Sequence, residues 1–347
     1  MARPNLLGLS LNEIQALVQN CGEKPFRARQ LYSNIYRRHR IKLEEMSDLS
    51  KGFRALLASA FEIRFPNILR VEQSADGTRK FALRLDDNET IEMVHIPEPR
   101  RNTLCISTQS GCNAGCRYCV TATMGLRRNL TAGEIVAQVM LCEELLPGET
   151  QTINVVYMGM GEPLLNYDAT VKSLQLLTDR EGLSISPRRI TLSTCGVVPG
   201  LQRLASEKII PRLAISLGAP DDELRSRLIP LNRKWNLEAL LAACRAMPIR
   251  DRITFEYTLI AGVNDSPRHA RKLVGLLHGL RSKINLIPLN PHPLLPFKRP
   301  DPEILLAFQE ILARHGLSVF VRRPRGDDIS AACGQLVAEA RASEKKG

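Results

Sequence analysis

The chain has 347 residues, 44% of them apolar, and a formal net charge of +12. No run of about eighteen apolar residues occurs, so no membrane-spanning helix is expected, and Met1–Gly8 lacks the long apolar core of a secretion signal. Nine cysteines in a chain too long to need disulfide staples point to metal or redox chemistry, with the cytoplasm as the expected compartment.

Residues 1 to about 70 read as helical. Leu11–Val18 and Ala28–Ile35 repeat apolar residues at helical spacing, in a basic segment with no chemistry of its own. Phe81–Leu85 and Ile91–Ile96 flank the turn-type run Asp86-Asp87-Asn88-Glu89, which predicts a β-hairpin. From about residue 103 the pattern becomes strand, loop, helix, repeated. The candidate strands are Leu104–Thr108, Ile153–Met158, Ile190–Ser193, Leu213–Leu217, Ile253–Leu259, Ile284–Leu289 and Leu317–Val321. Amphipathic stretches such as Glu134–Leu145, Leu237–Ala246 and Ala270–Leu280 lie between them, and Thr131-Ala-Gly-Glu134 reads as a capping box. Strands alternating with helices predict an α/β fold with a parallel sheet, closed fully or partly into a barrel. The expected units are a helical accessory domain (1–75), a hairpin linker (76–97), the α/β core (98–338) and a frayed tail (339–347).

Ligand-type residues begin after the first core strand. Cys112, Cys116 and Cys119 stand at C-x3-C-x2-C, with no fourth cysteine near enough in sequence to complete a four-thiolate cage. Zinc wants four ligands, commonly from two C-x2-C pairs, and this loop has neither a second pair nor a histidine. Four thiolates close an iron–sulfur cluster for electron transfer. Three would leave one iron of a 4Fe-4S cluster open to bind and reduce a small molecule, the signature of radical S-adenosylmethionine enzymes. Tyr118 could pack on such a cofactor or simply fill the loop.

Gly159-Met160-Gly161-Glu162-Pro163 directly follows a strand. Glycines there let backbone approach a ligand closely, and a carboxylate can accept from an ammonium group. Later strand ends carry Ser193, then Ser216-Leu217-Gly218, then Asn290. Each alone is an ordinary turn residue; ringed around one barrel mouth they form a hydrogen-bonding set for a sugar and an adenine. Cys333, among Gly and Asp beyond the last strand, is a candidate nucleophile. Cys105 lies in the first core strand, whereas Cys21, Cys142 and Cys244 read as small core hydrophobes. Glu92 alone reads as an ordinary exposed carboxylate. Basic clusters at Arg37-Arg38-His39-Arg40, Arg127-Arg128, Arg188-Arg189 and Arg322-Arg323-Pro-Arg325 are each explicable as a solvated face. Together with the net charge they favour nucleic acid as partner.

With these motifs assembled, the chain resembles the RNA adenine C2-methyltransferases, the RlmN branch of the RlmN/Cfr family of radical S-adenosylmethionine enzymes. The likeness covers nearly the whole chain: Gly22-Glu-Lys-Pro-Phe-Arg-Ala, the cysteine triad, Asn129-Leu-Thr, Gly159-Met-Gly-Glu-Pro, Gly196-Val-Val-Pro, and Arg325-Gly-Asp-Asp-Ile-Ser-Ala-Ala-Cys-Gly-Gln-Leu. The last motif is the most specific. The resemblance implies a partial (β/α)6 barrel with a small helical N-terminal domain that helps hold RNA. It implies one 4Fe-4S cluster on Cys112, Cys116 and Cys119, and two S-adenosylmethionines per turnover. The first would methylate Cys333. The second, cleaved at the cluster, would yield a 5′-deoxyadenosyl radical that takes a hydrogen from that methyl group. The carbon radical would add to C2 of an adenine in 23S rRNA or tRNA. Cys105 would then resolve the adduct through a transient disulfide with Cys333. Glu92 matches the family's proton acceptor, and Gly161, Glu162, Ser193, Ser216, Leu217, Gly218 and Asn290 match its S-adenosylmethionine contacts. The reductant implied is a flavodoxin-type protein, and the default state is a monomer.

Two positions depart from the family pattern. Ser216-Leu217-Gly218 stands where Ser-Leu-His is usual, so that Gly218 replaces the histidine, and Cys195 stands where a serine is usual. Pro163 and the Arg325-Gly-Asp-Asp run favour the C2 branch over the C8-methylating Cfr type. A non-enzymatic RNA-binding protein with a structural metal would explain the charge and the triad. It would not explain Cys105 with Cys333, or the glycine–glutamate turn.

Overall fold

In the computed structural model, which describes residues 3–99, 101–145 and 152–336, the first turn of α1 (Leu11–Asn20) is fixed by its own sequence. Ser10 and Glu13 form a reciprocal capping box, with the Ser10 N–H donating to Glu13 Oε2 at 2.7 Å. With α2 (Phe26–Tyr36) and α3 (Lys51–Ala60) it makes a small helical unit. Its apolar faces bury Ile14, Val18, Leu31, Ile35, Phe53 and Leu57 in a cluster continuous with Ile135, Val136 and Met140 of the main body. Two tyrosines secure it: Tyr32 Oη donates to Asp179 at 2.9 Å, and Tyr36 Oη accepts from Gly8 N and donates to the Leu9 carbonyl. The unit is therefore packed into the core along one continuous apolar surface.

Residues 67–73 are not helical. Asn67–Gln73 is β1, an edge strand antiparallel to β2 (Arg79–Arg84), which pairs with β3 (Thr90–Glu98). The predicted hairpin is thus part of a three-stranded run. It joins the core directly, because β3 pairs antiparallel with β4 (Arg101–Cys105).

Beyond β4 the chain makes a small ribbon from β5 (Gln109–Gly111) and β6 (Leu126–Asn129), enclosing the cysteine loop and the short α4 (Val120–Thr123). Next comes α5 (Ala132–Leu145), opened by the predicted Thr131–Glu134 box: Thr131 N donates to Glu134 Oε2 at 2.8 Å. The remaining strands are β7 (Thr152–Tyr157), β8 (Ile190–Thr194), β9 (Arg212–Ser216), β10 (Ile253–Leu259), β11 (Ser282–Pro288) and β12 (Val319–Val321). With β4 they form seven consecutive parallel strands, hydrogen-bonded in chain order. The interleaved helices are α6 (Tyr167–Thr178), α7 (Val198–Leu204), α8 (Asp222–Leu228), α9 (Leu237–Ala246), α10 (Pro267–Leu277) and α11 (Pro302–Arg314). The strands are apolar runs because helices cover one face and strand-borne side chains fill the other.

The sheet curls: residues from β8, β10 and β11 share one cavity with the loop that follows β4 and β5, which a flat sheet forbids. This is the expected partial barrel, extended at one edge by β1–β3. Among the described residues, no helix is long and apolar enough to cross a membrane. The expected tail, 339–347, lies outside the described residues.

Candidate active site

The cysteine loop is held at both ends by backbone. Cys112 N donates to the Gly125 carbonyl at 3.1 Å, and Arg117 N to the Leu228 carbonyl at 2.9 Å. Gly111 has φ +73°, and a Cβ there would sit 1.8 Å from the Gly125 carbonyl oxygen, so only glycine closes this ribbon. Cys112, Cys116 and Cys119 all face a cavity of about 150 Å³ at the C-terminal ends of the strands. Among the described residues no three His, Cys, Asp or Glu side chains converge to hold a single metal ion; the thiols stand around the cavity wall instead. Burial pushes the Cys112 thiol up and holds Cys119 at about 11. A bound cationic cluster would reverse both shifts, because thiolates are the metal-ligating form. The donor set, three thiols around one space and no imidazole, fits an iron–sulfur cluster.

The same cavity is lined by Gly161, Glu162, Ser193, Ser216 and Asn290. Gly161 has φ +103°, and a Cβ there would lie 2.6 Å from the Gln109 side chain, so the β7 turn can press against the cysteine ribbon only as glycine. Glu162 is buried. Its Oε1 accepts from Leu164 N at 3.0 Å and its Oε2 from Cys195 N at 2.8 Å. Burial raises its carboxyl above the usual range. An ammonium group in the cavity would offset that cost, so these residues suit the methionine end of S-adenosylmethionine.

Not every expected contact faces this space. Leu217 and Gly218 are absent from the lining; their carbonyls accept from Arg225 Nε at 2.9 Å and Asn264 Nδ2 at 2.8 Å. Gly218 has φ +72°, and a Cβ would meet Ile229 Cδ1 at 2.7 Å. A histidine here would require Ile229 to move. Cys195 is buried in the cavity wall beside Cys116, and that neighbouring thiol together with burial drives its own thiol well up. Tyr118 lines the cavity as well.

Cys333 is carried to this cavity by its motif, whose members each have a mechanical task. Arg325 Nε pairs with Asp76 at 2.9 Å, and Asp328 accepts from Ser74 Oγ at 2.6 Å, tying the segment to the β1–β2 turn. Asp327 accepts from Arg299 at 2.8 Å and from Gln335 Nε2 at 3.1 Å. Val120 N donates to the Gly334 carbonyl at 2.7 Å and Thr121 Oγ1 to the Leu336 carbonyl at 2.8 Å, stitching the segment to the cysteine loop. Cys333 consequently faces two spaces: the cluster cavity, and a second of about 40 Å³ that it shares with Cys105, Met158 and Arg322. The sequence separates Cys105 and Cys333 by most of the core, and the fold brings them to one small chamber. Both are free thiols, as are all nine cysteines.

Glu92 is fully buried, which corrects the reading of an exposed carboxylate. It pairs with Lys80, Nζ to Oε1 3.7 Å, and lines neither cavity. Strand alternation puts it on the same face as Val94, the register partner of Cys105. One residue carries charge here that the sequence reading does not single out. Glu256, inward on β10, accepts from Ser193 Oγ at 3.0 Å and stands 3.5 Å from Arg322 Nη1. The visible signal for it is a lone carboxylate inside the apolar run Ile253–Leu259.

At the N-terminal ends of the strands lies a much larger chamber of about 760 Å³. Ten lysines and arginines line it against three carboxylates, among them Arg188, Arg189 and Arg322, Arg323 and Arg325 from the predicted basic clusters. It shares Met158 and Arg322 with the two-thiol cavity, and Glu256 with the cluster cavity. The other two clusters are largely spent on partners: Arg38 pairs with Asp48 at 2.8 Å, and Arg128 with Asp87 and Glu134.

Comparison with known proteins agrees with this geometry. Residues 106–274 match the model of the radical SAM superfamily, and residues 4–63 that of the ribosomal RNA large subunit methyltransferase N-terminal domain. The dual-specificity RNA methyltransferase RlmN of Syntrophobacter fumaroxidans is 48% identical over 95% of this chain and 97% of its own length. That of Halorhodospira halophila is 47% identical over 97% and 94%. A crystal structure of a radical SAM methyltransferase from Sphaerobacter thermophilus superposes with a TM-score of 0.91 at 46% identity, covering 97% of this chain and all of that one. With three thiols around one cavity, a two-thiol chamber behind it and near-half identity to curated relatives along its length, this chain belongs to the RlmN family of radical S-adenosylmethionine RNA methyltransferases.

Proposed function

We propose that this chain methylates C2 of adenosine in RNA, with Cys333 as the methyl carrier and Cys105 as the residue that frees the product. The observation that carries this reading is the position of Cys333, which faces the three cluster cysteines on one side and Cys105 on the other. C2 of adenine is electron-poor, so displacement chemistry cannot methylate it, whereas a carbon radical adds there. Cys112, Cys116 and Cys119 would hold the 4Fe-4S cluster, and Glu162, Gly161, Ser193, Ser216 and Asn290 the S-adenosylmethionine. Loaded with both, the site supplies a 5′-deoxyadenosyl radical. Cys333 accepts a methyl group, yields one hydrogen atom from it and tethers the adenine through the resulting methylene; the tether makes the later steps intramolecular. Cys105 attacks the Cys333 sulfur and forms the transient disulfide. Glu92 serves as proton acceptor from its place on the Cys105 face. Leu217 and Gly218 act through the backbone of their loop.

RNA enters from the basic chamber at the opposite end of the barrel, and the N-terminal unit, residues 1–75, helps to hold it. Substrates are an adenosine in the peptidyl-transferase centre of 23S rRNA and the adenosine 3′ of the anticodon in tRNA. The protein works as a cytoplasmic monomer with a flavodoxin-type reductant. Nucleoside mass spectrometry of both RNA pools, from a host lacking its own enzyme and expressing this chain, tests the reading. 2-Methyladenosine is expected in both. 8-Methyladenosine would assign the Cfr-type reaction instead, and no methylated adenosine in either pool would overturn the proposal.

The entry route makes a separate expectation. Arg281→Ala with Lys283→Ala removes two chamber cations that stand near the start of β11. RNA binding then weakens, and the slope of log affinity against log salt falls by about one per lost phosphate contact. Filter binding at several salt concentrations checks this. An unchanged slope would place the RNA elsewhere.

A further inference from the structure

We infer that Arg322 is a positioning residue for both working thiols: one guanidinium, buffered by Glu256, favours the thiolate form first of Cys333 and then of Cys105. This rests on the two-cysteine reading above.

Arg322 follows β12 directly, and its backbone N–H donates to the Leu286 carbonyl at 2.9 Å, so its side chain starts from a fixed point. It lines the same chamber of about 40 Å³ as Cys105 and Cys333. Its Nη1 lies 3.5 Å from Glu256 Oε1 and 3.9 Å from Met158 Sδ. The carboxylate contact is long, 3.5 Å, not the short bidentate fork that arginine makes where an ion pair is the whole purpose. The guanidinium thus keeps attraction to spare for the thiols beside it.

The chemistry needs such a cation twice. In the first step the Cys333 thiolate attacks the sulfonium methyl carbon. A sulfur–carbon bond forms, the sulfonium carbon–sulfur bond breaks with its electron pair, and no proton moves. In the last step the Cys105 thiolate attacks the Cys333 sulfur. The sulfur–sulfur bond forms and the sulfur–methylene bond breaks. Its electron pair stays with the carbon, which takes a proton to become the methyl group of the product. An external dithiol later returns two electrons to the disulfide. Both attacking groups sit in a low-dielectric chamber, where burial opposes thiolate formation: Cys105 is pushed up to about 12 and Cys333 is also raised. Arg322 is the opposing influence common to both, and Glu256 works against it at both. Arg323 and Arg325 also line the chamber, but Arg325 is committed to Asp76. Arginine suits the task because it stays charged at every working pH.

The test uses the full chain, reduced and without iron, and follows iodoacetamide alkylation of Cys333 and Cys105 against pH, resolved by peptide mass spectrometry. Arg322→Gln is expected to move the Cys333 midpoint up by about one unit, which slows alkylation about tenfold below the midpoint. Arg322→Lys should recover most of the shift. Glu256→Gln should move the midpoint down. Opposite signs separate an electrostatic role from a structural one, since loosened packing would expose the thiols alike in both variants. Cys244, buried in the other core cluster, is the internal control. An unchanged Cys333 midpoint in a folded Arg322→Gln protein overturns the inference. If that variant does not fold, a Glu256→Gln midpoint that stays put or rises overturns it equally. Failure here alongside normal formation of 2-methyladenosine sinks the inference alone; absence of the methylated nucleoside sinks the reading beneath it.

Discussion

Cys333→Ala is expected to abolish RNA methylation while the protein still takes up its iron–sulfur cluster. In the proposed reaction the carrier sulfur has no substitute, because C2 of adenine is too electron-poor for direct displacement from S-adenosylmethionine. The loss should be on the order of 10⁴-fold or more, the scale on which removal of an essential nucleophile acts. The cluster should survive because the segment's ties do not involve the thiol. Gly334 accepts from Val120 N, Leu336 accepts from Thr121 Oγ1, and the Cys333 carbonyl accepts from Asn290 Nδ2 at 3.3 Å. Alanine keeps all three. Iron content and visible absorbance of the anaerobically loaded variant should match the parent, with no methylated nucleoside formed. A variant that lost iron together with activity would make Cys333 part of the metal site. One that still methylated would remove it from the mechanism.

Cys105→Ala should give a different phenotype: protein accumulating in covalent linkage to RNA. Cys105 belongs to β4, is buried, and lines the small chamber it shares with Cys333. Deleting that one atom should cost about 1 kcal/mol of stability. In the proposed reaction the methylation of Cys333 and the attack on adenine precede any use of Cys105. The reaction should therefore run forward to the adduct and stop, with up to one RNA per active site. A denaturing gel would show a nuclease-sensitive band of higher mass containing both protein and RNA. Normal turnover without that band would remove the resolving role and leave the proximity of the two thiols unexplained.

Much of the core was legible because each parallel strand is a short apolar run between amphipathic helices. Ile253–Leu259 and Leu237–Ala246 fall on their expected bounds. The Thr131 box was equally readable, since capping is local chemistry. β1 was not: Asn67–Gln73 is exposed at all but one position, and only its partner β2 makes it a strand. The β5–β6 ribbon is too short and polar for periodicity to register. At the candidate site, residue type singled out Cys112, Cys116, Cys119, Glu162 and Cys333, each in a motif whose spacing has a chemical reason, and the fold gathers them around one cavity. Glu92 was misjudged as exposed because a hairpin in isolation has a solvent face; here that face is closed by Lys80 and the core sheet. Arg322 was readable only as one member of a basic run. The strand register decides which arginine of Arg322-Arg323 stands beside Glu256. Leu217 and Gly218 show the converse: a family motif names the loop, while the fold decides which of its atoms reach the cavity.

The most direct test of the Cys333 route is the fate of an isotopically labelled methyl group. With S-adenosylmethionine carrying a trideuterated methyl, the new methyl on adenine should retain two deuteriums and one hydrogen from solvent, because the sulfur-borne methyl gives up one atom before it bonds to carbon. Retention of all three deuteriums would mean that the methyl travelled intact, and would contradict the thiol-carried mechanism.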